Sequence, residues 1–112
     1  MGFLDKIKKG IELKQNTPSS ESLKKTNDKI LQLEKELDAH SNDIHFLLDL
    51  YGCYVEVSNT EKKIECLEKI SNLKPNDSYP LQQLADIYLN ELNNIEQAKI
   101  YQEKANKINN SF

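Results

Sequence analysis

Among side chains with the capacity for acid–base, nucleophilic or metal chemistry, this 112-residue chain has two histidines, two cysteines and 18 carboxylates. His40 and His45 stand five positions apart across a predicted helix start, a spacing that puts them on different faces and gives no shared metal. His45 and Asp49 lie one helical turn apart, which predicts an ordinary surface hydrogen bond. Cys53 and Cys66 fall on successive predicted helices, and a chain with no secretory signal is expected to keep them as reduced, buried thiols. The carboxylates alternate with lysines at helical spacing, as in Glu61–Glu65–Lys69 and Lys99–Glu103, the pattern of a solvated helix face. Two acids so spaced occur in any charged helix and do not define a general acid–base pair. No glycine-rich phosphate loop, nucleophile elbow or local Cys–His dyad occurs. These residues predict no catalytic site, no metal and no cofactor.

Charge narrows the partner. All 15 basic residues are Lys, which disfavours a nucleic-acid reader, because bidentate phosphate and guanine contacts use the guanidinium fork. Residues 1–25 carry six Lys against Asp5, Glu12 and Glu21, a net of +3, whereas residues 26–112 carry a net of −6. The body therefore repels polyanions. A 38% hydrophobic and 29% charged composition is that of a soluble helical domain. No run reaches the 18 or more apolar residues of a membrane span. The start lacks the apolar core of a secretory signal. The expected location is the cytoplasm, or the inner face of a membrane.

Apolar periodicity supplies the elements that would position any site. A leader helix over 1–14 sets Phe3, Leu4, Ile7 and Ile11 on one face, with Lys6, Lys8, Lys9 and Lys14 elsewhere on the wheel. A polar linker with Pro18 follows over 15–20. Leu23, Ile30, Leu33 and Leu37 predict a helix over 21–39. The stretch 43–57 is apolar nearly all round, the signature of a helix buried on most sides. Ser58 and Glu61 stand at capping-box spacing, as Asn93 and Glu96 do, and each pair predicts a helix start. The last helix, 94–109, has an inner stripe of Ala98, Tyr101, Ala105 and Ile108, and a polar outer face broken by Ile100.

These elements repeat. Tyr54 and Tyr88 are 34 positions apart, and the close Leu73-Lys74-Pro75-Asn76-Asp77 is mimicked by Ala39-His40-Ser41-Asn42-Asp43. The second interhelix connection is one residue longer than that period. Over 21–112 the chain resembles the tetratricopeptide repeat, a helix–turn–helix unit with this period. Leu47, Leu50, Tyr54 and Leu67 fit the family's large positions in the first repeat, and Leu81, Leu84 and Tyr88 do so in the second. Ala85, Ala98 and Ala105 fit its small positions, while Tyr51, Lys63 and Ile70 break them. The resemblance implies an all-α fold, a short α-solenoid of antiparallel helix pairs: two full repeats preceded by one B-type helix. The polar outer face of the last helix suits the end of such an array.

The resemblance also implies a concave groove lined by the first helix of each repeat. His45, Leu48, Asp49, Gly52, Val55 and Glu56 map there, followed by Tyr79, Gln82, Gln83, Asp86, Leu89 and Asn90. Family members that clamp a terminal carboxylate do so with basic and amide side chains, and no Lys occupies any of these places, which disfavours that chemistry. Leu48, Val55 and Leu89 in an acidic and amide rim suit a helix or extended segment with apolar and positively charged side chains. The alternative use of Leu48 and Val55 is completion of the core. Gly52 would serve either close ligand approach or close helix packing. The expected function is a protein-interaction module, an adaptor or dedicated chaperone. The second reading is a membrane-surface tether, with the leader on anionic lipid and the repeats recruiting a partner. The leader has two further readings, docking into the groove and no fixed structure, and a homo-oligomer burying the first repeat stays open.

Overall fold

The computed structural model describes residues 19–111, so the leader 1–14 lies outside the described residues. The described residues form five α-helices: α1 (Ser20–Glu36), α2 (Ile44–Glu56), α3 (Thr60–Leu73), α4 (Tyr79–Asn90) and α5 (Ile95–Ser111). A 3₁₀ turn over Leu37–His40 follows α1. Among the described residues there is no strand. The fold is all-α, and each helix packs principally on the helices before and after it in sequence.

Hydrogen bonds at the helix ends repeat along the chain. The Asp43 N–H donates to the His40 carbonyl at 3.0 Å, and 34 residues later the Asp77 N–H donates to the Lys74 carbonyl at 3.0 Å. The side chain of Asp43 accepts from the Phe46 N–H, capping α2. That of Asp77 accepts from the Tyr79 N–H, a tight local turn into α4. Within each hairpin a left-handed residue precedes an asparagine cap: Ser58 (φ 58°) before Asn59, and Asn93 (φ 53°) before Asn94. Asn59 accepts from the Lys62 N–H and Asn94 from the Gln97 N–H, both at 3.1 Å. The two asparagine N–H groups donate back to the carbonyls of Tyr54 and Tyr88, the second across one extra residue.

The structure corrects three local expectations. The cap of α3 is Asn59, one position after the predicted Ser58, and the cap of α5 is Asn94, one after Asn93. In each case the preceding residue is held in the left-handed region, which reverses the chain and leaves the next side chain aimed at the helix start. The helix predicted to reach residue 39 gives way to the 3₁₀ turn after Glu36, a common tightening of a last turn. Asn59→Ala is expected to lower stability by about 1 kcal/mol, with urea denaturation as the measurement. An unchanged midpoint would mean that water caps α3 equally well.

The core has two centres. Ile30, Leu50, Cys53, Tyr54 and Cys66 form one across α1, α2 and α3. Leu67, Leu81, Leu84, Ile87 and Ala105 form the other across α3, α4 and α5. Tyr51 packs against both, so the large ring at a predicted small position joins the two centres. Of the nearly all-round apolar α2, Leu47, Leu50, Cys53 and Tyr54 are buried, whereas Leu48 and Val55 are exposed. The expectation of a helix buried on most sides therefore holds for the other apolar residues and fails for the face that carries these two. On α5 the stripe holds, with Ala98 and Ala105 buried and Tyr101 and Ile108 half-buried. Ile95 and Ile100 nevertheless remain exposed there.

Candidate partner-binding face

α2 and α4 expose corresponding residues. On α2 they are His45, Leu48, Asp49, Gly52, Val55 and Glu56. On α4, each 34 positions on, Tyr79, Asp86, Leu89 and Asn90 are exposed, and Gln82 and Gln83 half-buried. Leu48 is 38% exposed and Val55, Tyr79 and Leu89 are each 46% exposed, so the core reading of Leu48 and Val55 fails. Both helices turn their opposite sides to the core, which is why one period of 34 sets the exposed residues of both.

The structure gathers part of the predicted set into one place. Leu48, Asp49, Gly52 and Glu56 line a hollow of about 290 Å³ against Thr26 and Lys29 of α1. Gln82, Asp86 and Leu89 stand apart from it on α4. Tyr51 lies between the helices, its phenol pushed up by burial first, then by neighbouring groups that include Tyr79, Glu91 and Asp86. A Cβ on Gly52 would meet nothing within 4 Å, so helix packing does not require this glycine. In mid-helix it costs about 0.5–1 kcal/mol relative to alanine.

The expected surface hydrogen bond between His45 and Asp49 does not form. His40 stacks on Phe46, with ring centroids 4.7 Å apart, and its Nδ1 lies 3.7 Å from an Asp43 oxygen. Among lysine–carboxylate pairs, Lys62–Glu65 and Lys63–Glu91 form, in place of the predicted Glu65–Lys69 and Lys99–Glu103 pairings. Both cysteines are free and buried. Burial pushes both thiols up, Cys66 to about 11, so Cys66 stays protonated and unreactive at neutral pH.

Sequence reasoning missed a polar lock behind the face. Lys63 is buried, and its ammonium donates to Glu91 at 2.7 Å. The Thr60 hydroxyl donates to the other oxygen of the same carboxylate at 2.6 Å. This ties the start of α3 to the C-terminal end of α4. The available signal was Lys63 itself, a long cationic side chain where the family pattern wants a small one. Two tyrosine–carboxylate contacts tie other helices: Tyr54 donates to Glu34 of α1, and Tyr101 of α5 to Glu68 of α3 at 3.2 Å. Tyr101 also stacks on Tyr88.

Among the described residues no group of three or more His, Cys, Asp and Glu side chains could hold a metal ion. No described helix is long and apolar enough to cross a membrane. Compared with known proteins, the chain matches no family model and no curated protein.

Proposed function

We propose that this protein is a protein-interaction module of tetratricopeptide type, in which α2–α3 and α4–α5 are successive repeats and α1 is a preceding B-type helix. The 34-residue recurrence of helix-end hydrogen bonds supports the repeat assignment. The module binds a helix or extended segment of a partner along the outer faces of α2 and α4. One observation carries this reading: four large apolar side chains, Leu48 and Val55 on α2 and Tyr79 and Leu89 on α4, lie exposed, Val55 and Leu89 at matched positions of the two helices. Asp49, Glu56 and Asp86 flank them, also exposed. An apolar stripe among acids recognises a segment with apolar anchors and lysine or arginine beside them.

A synthetic amphipathic peptide of Leu and Lys, titrated by fluorescence anisotropy, tests the chemistry. Leu48→Lys with Asp86→Lys is expected to weaken its binding by tenfold or more, about 1.4 kcal/mol, with the helical circular dichroism unchanged. Affinity equal to that of the unaltered chain would sink the assignment of this face.

A further inference from the structure

Two hollows in the fold are counterparts of each other. One, of about 190 Å³, lies between α1, α2 and α3, and the other, of about 250 Å³, between α3, α4 and α5. Leu47 and Leu50 line the first where Leu81 and Leu84, 34 positions on, line the second, and Glu34 corresponds in the same way to Glu68. α3 starts at Thr60 and α5 at Ile95, 35 positions on, so Lys69 corresponds to Lys104 and Cys66 to Tyr101. Of these pairs only the last changes residue type, from a thiol in the first hollow to a phenol ring in the second. Leu37, where the second hollow has Ser71, makes the first more apolar.

Three contacts hold the Tyr101 ring. It stacks on Tyr88 with ring centroids 5.5 Å apart, and the Lys104 ammonium lies over it at 5.5 Å. Its hydroxyl donates to Glu68 at 3.2 Å. The first hollow offers the same three partners around Cys66. Tyr54, the counterpart of Tyr88, lines it. Lys69 is exposed at its edge and makes no ion pair among the described residues. Glu34 accepts from Tyr54 through one carboxylate oxygen and keeps the other. Leu47, Leu50 and Cys66 are each at most 4% exposed, so the floor is apolar. An apolar cavity of about 150 Å³ takes up benzene, and this volume therefore holds a single aromatic ring.

We propose that the hollow between α1, α2 and α3 binds a phenol ring in the place that Tyr101 fills in the second hollow, stacked on Tyr54, beneath the Lys69 ammonium and with its hydroxyl donating to Glu34. The ring is that of a free small phenol or of a tyrosine side chain on a partner, which share this chemistry. The site has no residue in common with the exposed face of α2 and α4 and stands independently of that reading.

Titration of the full chain with 4-methylphenol, the side chain of tyrosine, followed by methyl-resolved nuclear magnetic resonance, tests it. Saturable shifts at Leu37, Leu47 and Leu50 are expected, with a dissociation constant of about a millimolar. The non-aromatic 4-methylcyclohexanol should bind about fivefold more weakly or worse. Lys69→Gln, at an exposed position, should weaken 4-methylphenol binding about two- to fivefold. Cys66→Tyr, which supplies the ring from the chain itself, should abolish it. An acetylated and amidated Gly-Tyr-Gly peptide separates the two sources. Affinity matching that of 4-methylphenol assigns the ring to a partner protein, and binding of 4-methylphenol without the peptide assigns it to a free small molecule. No saturation by about ten millimolar overturns the proposal. Equal affinity for 4-methylcyclohexanol overturns it too, as does undiminished binding in a folded Cys66→Tyr chain. Should Cys66→Tyr fail to fold, Lys69→Gln decides, and an unchanged affinity there overturns the proposal.

Discussion

Leu67→Ala is expected to lower the stability of the fold by about 2–5 kcal/mol, the range for removing a leucine side chain from a closed core. Leu67 has no exposed surface and sits in the cluster that joins α3 to α4 and α5. Small domains are stable by about 5–15 kcal/mol in total, so this one change removes a large part of the margin. Urea denaturation should show an earlier midpoint with a similar slope, because the surface exposed on unfolding hardly changes. A loss below about 1 kcal/mol would mean that the neighbours collapse into the vacated volume, against the dense packing of the cluster.

The second large effect is at the Lys63–Glu91 pair. Glu91→Ala leaves a cation behind in a site where the Lys63 side chain is only 10% exposed, with its anionic partner gone. Removing one partner of a fully buried pair costs about 3–5 kcal/mol. The Glu91 side chain is 37% exposed, so water recovers part of this and the expected loss is about 1–3 kcal/mol. Lys63→Met keeps the apolar stem and removes the charge, and should be close to neutral. Equal losses in the two variants would show that the stem's packing, and not the stranded charge, accounts for the effect.

The same pair carries a pH dependence of definite sign. The ammonium of Lys63, and after it the hydroxyl of Thr60, hold the Glu91 carboxyl below its usual range by hydrogen bonding to the ionised form. A carboxyl lowered in the folded state contributes stability that is fully present above its unfolded value of about 4.3. That contribution is lost as pH falls through the lower folded value. The stability difference between the unaltered chain and Glu91→Gln should therefore be constant near neutrality and shrink below about pH 4. A difference that does not change with pH would remove the charged hydrogen bond as its source.

How much of this was legible beforehand depends on the range over which each feature is specified. Tyr54 and Tyr88, and Asp43 and Asp77, stand 34 positions apart in the chain and play matching parts in the fold. Turn chemistry and helical periodicity act over a few residues, so both were readable to within a residue or two. The caps at Asn59 and Asn94 were misplaced by one position. Two side chains at each start can cap, and the left-handed backbone of the residue before selects between them. On α2, composition alone predicted burial on most sides. Which apolar residues reach the core depended on where α1, α3 and α4 lie around that helix.

The amino-acid sequence by itself determined that the protein is all-α, where its helices start and turn back, and which residues share each helix face. Hydrophobic period, asparagine and aspartate caps and proline placement are local properties of the chain. The tertiary structure alone decided that Leu48 and Val55 are surface rather than core, that Gly52 has open space above it, and that Lys63 reaches Glu91. Each depends on residues brought together from separate helices, and burial and ion pairing are set by the neighbours that packing supplies, which no local pattern specifies.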